Sequence, residues 1–528
     1  MTHGRQTSRI RRESIAALAV VVIPAAVAVG LSLYDISARN LWLDEAASVS
    51  IASQHGGALG AALAHDGGNM LGYYALLHVL IGWFGSGSLV IRIPSVLGAG
   101  ATVALLALLG LRLFGRRTAL LAGLLGAVSL PMIYWGQNAR AYTLMLALIC
   151  GSVLSFVWLV ESPRGAWRPW VVYVIVTTAA IYAGLEAVLV IPAQLVILAW
   201  HRPRARSAVS AVVAVAVCCV PLAVLALSRG SGQLFWVPSP SYKTLRQVVQ
   251  SLGSAGLEPN FYTPTGRWLL FLTLALTLAA AVRVGYGLRP GAGRRQAWRS
   301  SLVLGWLVLP LAITVVISEL SQPIFQARYL LVSLPAVALL LGWLLDGIWQ
   351  SAGGPVSVKL LGRPLAGPAA AAALLATLLS LRGLQLSPSY GKSTEPWRAA
   401  SQYVIDRARA GDCLAFYPLD VRMPFRYYLR PDAPAPTPVL PSLPLNRVRP
   451  FIEQYVVPPA RTLASAVSGC SRVWLVSSHG GEADGPPVSR ANYSRYFVLL
   501  GRLERRYPSL SSASFGYAGI ISVTLLSA

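Results

Sequence analysis

Apolar residues along this chain come in long unbroken runs, parted by short polar and basic stretches. Runs of spanning length fall at 14–34, 89–111, 118–136, 141–160, 169–184, 186–200, 207–228, 267–286, 300–318, 328–349 and 365–384. A helix needs about 20 apolar residues to cross ~30 Å of hydrocarbon. The pattern therefore predicts eleven transmembrane helices, although 169–200 also reads as one long helix kinked at Pro192. The first run follows the basic stretch "RQTSRIRRE", and no small-residue cleavage site comes after it, so it reads as a retained helix.

After residue 385 the pattern changes. Prolines multiply, and short β-like runs appear: "CLAFY" at 413–417, "RVWLVSS" at 472–478 and "GIISVTLLS" at 519–527. Stretches 397–409 and 447–466 read as helices. The expected fold is a mostly α, polytopic membrane protein (residues 1–384) followed by a small C-terminal α/β domain (residues 385–528). Two long loops interrupt the membrane part, 35–88 and 229–266; loops of that length in a compact domain usually carry function.

Composition agrees with the pattern. The chain is 55% hydrophobic and only 12% charged, against about 25% charged in a soluble domain. Its net charge of +25 raises the question of nucleic acid. The basic residues exclude that reading, because they sit in short clusters between apolar runs and form no stripe on a soluble face. With the N-terminus inside, the cytoplasmic segments hold 19 basic and three acidic residues, while the outer segments of the membrane part hold 8 and 7. That bias follows the positive-inside rule. It predicts a multi-pass protein of the cell's inner (plasma) membrane with a cytoplasmic N-terminus. An odd number of spans then leaves the C-terminal domain outside the cell membrane. In that compartment Cys413 and Cys470 read either as a disulfide or as two unpaired thiols. No cysteine or histidine spacing suggests zinc.

The candidate chemistry lies in the first outer loop. The stretch "NLWLDEAAS" at 40–48 places Asp44 and Glu45 directly after a span. The outer side of the membrane part holds seven acidic residues, Asp35, Asp44, Glu45, Asp66, Glu186, Glu258 and Glu319, four of them in this loop. No GxxxxGK[ST] phosphate loop is present. Arg140, in "GQNARAY", and Arg328, in "QARYLL", each open an apolar helix from the outer side with a tyrosine close by. Carboxylates facing arginines at a water–lipid boundary suit transfer from an anionic lipid: a carboxylate takes the proton of an acceptor hydroxyl, and arginine forks hold a phosphate as it leaves. Plainer readings stand beside these. Asp44 serves equally as a helix N-cap, Glu45 as a solvated first-turn residue, Asp66 as a turn residue before two glycines, and both arginines as snorkelling cations.

The stretches "LWLDEAASVSIA" (41–52), "GYYALLHVLIGWFGSGSLVIRIPSVLGA" (72–99), "RLFGRRTALLAGLLGAVSLPMIYWGQNARAYTLMLAL" (112–148), "FWVPSPS" (235–241) and "ARYLLVSLPAVALLL" (327–341) together resemble membrane glycosyltransferases of the GT-C superfamily. The resemblance covers residues 10–350. It is nearest the branch of protein O-mannosyltransferases, aminoarabinose transferases and galacturonosyltransferase-like proteins. It implies a polyprenyl-phosphate-linked sugar donor, mannose first and arabinose second. The implied acceptor is an envelope glycolipid, lipoglycan, polysaccharide or protein on the outer face. It further implies transfer with inversion, Asp44 as general base with Glu45 as partner, and Arg140, Arg328 and Tyr329 at the donor phosphate. Asp66, Tyr73 and Trp236 are then expected on the acceptor side of the pocket.

Two departures matter. Asn138 stands where many relatives have an acid, and "NMLGYY" stands where they have "HPPLYY". The first thins the ligand set for Mg²⁺ or Mn²⁺, so a divalent metal stays open and no metal ligand is assigned. The rival reading is a transporter or lipid flippase without transferase activity. Against it stand the lack of an internal repeat and the position of the charges at the outer ends of spans.

Overall fold

The computed structural model describes residues 2–528 apart from 164, 200–204, 230–233, 235–236, 256–263, 288–293, 351–358, 361–362, 365, 387–394, 430–434, 443–454 and 517–519. Among the described residues seven straight helices are long and apolar enough to cross a membrane: Ser14–Leu33, Ser88–Leu113, Tyr142–Glu161, Thr265–Gly285, Ala297–Leu320, Tyr329–Gln350 and Gly367–Leu384. Two bent pairs, Arg116–Ala127 with Leu130–Gly136 and Ala205–Cys218 with Val220–Arg229, turn by 58° and 50°, and each counted as one span brings the number to nine. The two remaining expected runs fall short of that length. One forms Trp167–Ala183; the other breaks into the short helices Leu185–Val190, Ile191–Val196 and Ile197–Ala199. Gly184 ends the first, and Pro192, lacking a backbone N–H, keeps the second from forming one regular helix.

Lipid tails are as apolar as leucine, so small residues and interhelical hydrogen bonds hold such helices together. A Cβ on Gly98 would sit 2.6 Å from the Leu144 nitrogen, one on Gly342 2.7 Å from the Ala122 nitrogen, and one on Gly110 2.8 Å from the Ala119 Cα. Thr102 Oγ1 donates to the Thr143 carbonyl at 2.9 Å, and Thr143 Oγ1 to the Ser95 carbonyl at 2.7 Å. Helix Tyr329–Gln350 is central, with 94% of its apolar stretch buried, whereas Ser14–Leu33, at 11%, faces outward.

The C-terminal unit is a five-stranded sheet, ordered Thr437–Leu440, Asp412–Tyr417, Arg472–Ser477, Ile521–Ser527, Ser509–Phe515. The first three strands run parallel and the last two are antiparallel to their neighbours. Period-two alternation sends Cys413, Ala415 and Tyr417 toward Leu499 and Leu503 of helix Pro487–Glu504, and Leu414 and Phe416 toward Trp397, Ala400 and Val404 of helix Trp397–Arg407. Covered on both faces, these strands read as continuous apolar runs. Cys413 and Cys470 form a disulfide, which resolves the alternative left open by the sequence. Of the helix expected over 447–466, Ala460–Ala466 is seen, and 447–454 lie outside the described residues.

This unit packs on the loop 35–88. The Leu41 N–H donates to the Tyr428 hydroxyl at 2.7 Å, Tyr427 donates to the Ser86 carbonyl at 2.8 Å, and Met423 packs on Ala46 and Ala47.

The glycine contacts predict that Gly98→Ala lowers thermal stability in detergent, by about 1–3 kcal/mol. Gly60→Ala, where a Cβ meets open space in a helix, is expected to be neutral or mildly stabilising. Equal melting temperatures for the two variants would refute the close-packing account.

Candidate active site

The short helix Leu43–Ala52 carries both adjacent carboxylates. Its N-cap is Trp42, which makes no side-chain cap bond. Asp44 is therefore the second helical residue and not the cap, and its carboxylate is left for other partners.

Glu45 has a different environment from its neighbour. It is wholly buried and forms a two-pronged pair with Arg92, Nε to Oε1 and Nη2 to Oε2, both at 2.8 Å. The Ala139 N–H also donates to Oε1, at 2.7 Å. Arg92 reaches on to the carbonyls of Ile36 and Arg39. This corrects the expectation of a solvated first-turn residue, since the side chain is buried and both oxygens are engaged. Glu45 instead ties the start of the outer loop to helix Ser88–Leu113 and to the turn before Arg140.

Asp44 keeps about a third of its side chain exposed. Its Oδ2 accepts from Arg328 Nη1 at 3.0 Å and lies 3.7 Å from Arg140 Nη2. Arg140 Nη1 is also 3.4 Å from the Asp44 carbonyl, 3.4 Å from Ser48 Oγ and 3.5 Å from the Tyr74 hydroxyl. Arg140 Nε is buried with no hydrogen-bond partner among the described residues. Each guanidinium carbon lies 5.9 Å from a tyrosine ring centre, Arg140 from Tyr142 and Arg328 from Tyr329. Glu186 is close enough to feel both arginine charges, and its Oε2 has no hydrogen-bond partner among the described residues.

Asp66 ends helix Gly56–His65, and Gly67 and Gly68 follow in left-handed conformation (φ 64° and 71°). Its turn role and its place in the cluster therefore coincide. Burial pushes its carboxyl up to about 7, against the pull of Arg140 and of a hydrogen bond from Tyr74.

Tyr73 does not line the opening. It is wholly buried, its hydroxyl 3.4 Å from the Ile91 carbonyl and Ser95 Oγ. Its neighbour Tyr74, one helical step round, faces Arg140 and Asp66. Trp236 lies outside the described residues. Asn138 accepts from Trp42 Nε1 at 2.8 Å and donates to the Tyr134 carbonyl at 2.5 Å, so it clamps the loop entering the Asp44 helix.

The cluster thus joins Asp44, Arg140 and Arg328 with Tyr329, Tyr142, Tyr74, Asp66 and Glu186. Sequence reasoning passed over Arg92, Tyr74 and the link of Glu186 to the arginines. The donor set does not fit a divalent cation: no group of three or more His, Cys, Asp or Glu is arranged to hold a metal ion among the described residues, and the shared Asp44 oxygen faces two guanidiniums.

Comparison with solved structures shows the fold. The chain superposes on ArnT from Cupriavidus metallidurans in the apo state, with a TM-score of 0.58 at 17% identity, over 96% of this chain and 98% of that one. It matches the same protein bound to undecaprenyl phosphate with a TM-score of 0.55 at 16% identity, over 96% and 97%. It also superposes on the archaeal oligosaccharyltransferase AglB from Archaeoglobus fulgidus, in complex with an inhibitory peptide and a dolichol-phosphate. There the TM-score is 0.53 at 13% identity, over 96% of this chain and 74% of that one. No curated protein matches the chain significantly. The chain therefore shares the fold of these membrane enzymes, with seven to nine helices among the described residues long and apolar enough to cross a membrane. Residues 68–227 match the family model described as dolichyl-phosphate-mannose-protein mannosyltransferase. That segment holds Tyr74, Arg92, Arg140 and Glu186, while Asp44 and Arg328 lie outside it.

Two outcomes follow from the geometry. Arg92→Ala strands a buried carboxylate, at a cost of about 3–5 kcal/mol. Loss of folded protein is expected on gel filtration, with Glu45→Gln milder because its amide still accepts from Ala139. Asp66 holds its proton more tightly folded than unfolded, so the stability it contributes is complete below its ordinary value of 3.8 and is lost as pH rises to about 7. The melting temperature of the wild type relative to Asp66→Asn should therefore fall from about pH 4 to about pH 7 and then level off. A flat difference would refute the burial account.

Proposed function

We propose that the protein transfers a sugar from a polyprenyl monophosphate to an acceptor at the extracytoplasmic face of the plasma membrane. One observation carries this reading: a partly exposed carboxylate, Asp44, held at 3.0 Å and 3.7 Å by two arginines that open apolar helices. Two guanidiniums on one carboxylate match the demand of the donor's phosphodiester, whose two free oxygens face paired N–H donors, and of the phosphate monoester that leaves with added charge.

The donor phosphate takes over Arg140 and Arg328, and Asp44 is released from their charge. Its basicity rises at the moment the sugar arrives. Asp44 then removes the acceptor hydroxyl proton as the acceptor oxygen bonds to the anomeric carbon. The bond from that carbon to the phosphate oxygen breaks, and polyprenyl phosphate leaves with the electron pair, its added charge held by the arginines. A single displacement inverts the anomeric centre. Tyr329 and Tyr142 wall the arginines, and Tyr74 and Asp66 line the acceptor side. Mannose is the first donor sugar to test, with arabinose second; envelope glycolipids, lipoglycans, polysaccharides and secreted proteins are the acceptor classes.

Orientation rests on charge. The basic residues 5–13 precede the first span, and the loop 35–88 follows it. The positive-inside rule puts the former in the cytoplasm and so the loop, with the C-terminal unit packed on it, outside.

With labelled polyprenyl-phosphate mannose and an envelope extract, Asp44→Asn is expected to lower transfer by about 10²–10⁴-fold while binding of undecaprenyl phosphate persists. Arg328→Ala is expected to weaken that binding about tenfold. An unchanged rate in Asp44→Asn would remove Asp44 as the base. Sugar or lipid movement across vesicles without any acceptor would favour the transporter reading.

A further inference from the structure

Helix Leu43–Ala52 begins without a cap of its own, because Trp42 offers no side-chain acceptor and Asp44 is turned toward the arginines. The first N–H groups of a helix need acceptors, and a carboxylate there also answers the helix dipole. The acceptor comes from 352 residues away: Glu395 Oε2 takes the Leu43 N–H at 3.0 Å. Glu395 is itself fixed. The same oxygen accepts from Trp397 Nε1 at 2.8 Å, and Trp397 is wholly buried against the C-terminal sheet. Its other oxygen lies 3.4 Å from His479 Nε2, and His479 Nδ1 lies 2.9 Å from Ser478 Oγ. Glu395 is 5% exposed, so water supplies no ready substitute. Tyr428, on Leu41, and Met423, on Ala46 and Ala47, hold the same segment on either side of this bond.

We propose that Glu395 is a positioning residue for Asp44, and that the C-terminal unit thereby completes the active site. By capping from a distance, Glu395 replaces the local N-cap that Asp44 would otherwise be drawn to supply. Asp44 stays in the first turn facing Arg140 and Arg328, and the hydroxyl-accepting end of the site is set by a domain that follows the last span. This assignment of effect rests on the transfer reading above; the capping contact itself does not.

The test separates the two. In Glu395→Ala, amides 43–46 are expected to exchange with deuterium faster than in the wild type. Turnover per folded molecule with labelled polyprenyl-phosphate mannose should fall about five- to tenfold, the scale of a lost cap, while affinity for undecaprenyl phosphate alone stays within about twofold. Glu395→Gln keeps an oxygen for both N–H donors and should restore exchange and turnover to within about twofold of wild type. Faster exchange with unchanged turnover would reduce Glu395 to a structural cap and overturn the proposal, as would unchanged exchange. Faster exchange in a protein whose wild type transfers no sugar from any polyprenyl phosphate would overturn the transfer reading and leave the capping contact standing.

Discussion

The pairing of Glu45 with Arg92 is the interaction on which the site's geometry depends. Both side chains are about 1% exposed, so neither charge has water to fall back on. A buried pair of this kind adds little net stability but is costly to break singly, and its value lies in fixing one arrangement. Here it fixes three segments at once. Glu45 belongs to the outer loop, Arg92 to the outer end of helix Ser88–Leu113, and Ala139, which also donates to Glu45, to the turn leading into Arg140. Asp44 and Arg140 are each one residue from a member of this knot. Their separation is thus set by the pair and not by their own weak contact.

The second layer is a balance of charge that leaves the site unfinished. Two arginines share one carboxylate oxygen, and Arg140 Nε has no hydrogen-bond partner among the described residues. Glu186 and Asp66 place further carboxyl groups around the arginines, and burial pushes the Asp66 carboxyl up to about 7. On the transfer reading proposed above, an incoming phosphate draws Arg140 and Arg328 away from Asp44, so that binding and activation of the proposed base become one event.

Much of the fold was legible because lipid leaves a coarse signature. Unbroken apolar runs mark helices whatever their packing, and all eleven runs are mostly helical over their described residues. Their number as full spans was not legible, since Gly184 and Pro192 shorten one pair, a local backbone matter that hydropathy does not weigh. Asp44, Arg140 and Arg328 were legible as rare charges at the outer ends of spans, although 96 and 284 residues separate the arginines from Asp44. The functions of Glu45 and Arg92 were not, because a bidentate pair 47 residues apart leaves no local pattern and Arg92 alone reads as a snorkelling cation. Tyr73 and Tyr74 differ by one helical step of 100°, which decides between core and site and which composition does not register. Strand Ser509–Phe515 went unread because "SLSSASF" is an exposed edge strand without apolar alternation.

The C-terminal unit ties these layers to topology. The unit's contacts with residues 41–47 and Ser86 put those residues and the sheet on one side. A tail that only needed anchoring could have packed on any loop at that face. It grips instead the segment 41–47 around Asp44, through a hydroxyl, a carboxylate and a methionine. Those contacts order a helix of ten residues, shorter than the ~12–15 at which an isolated helix becomes even marginal in water. The Asp44 helix therefore owes its order to partners on both sides, the Arg92 pair beneath and the sheet domain above, and Asp44 is in place only when the membrane part and its tail have both folded.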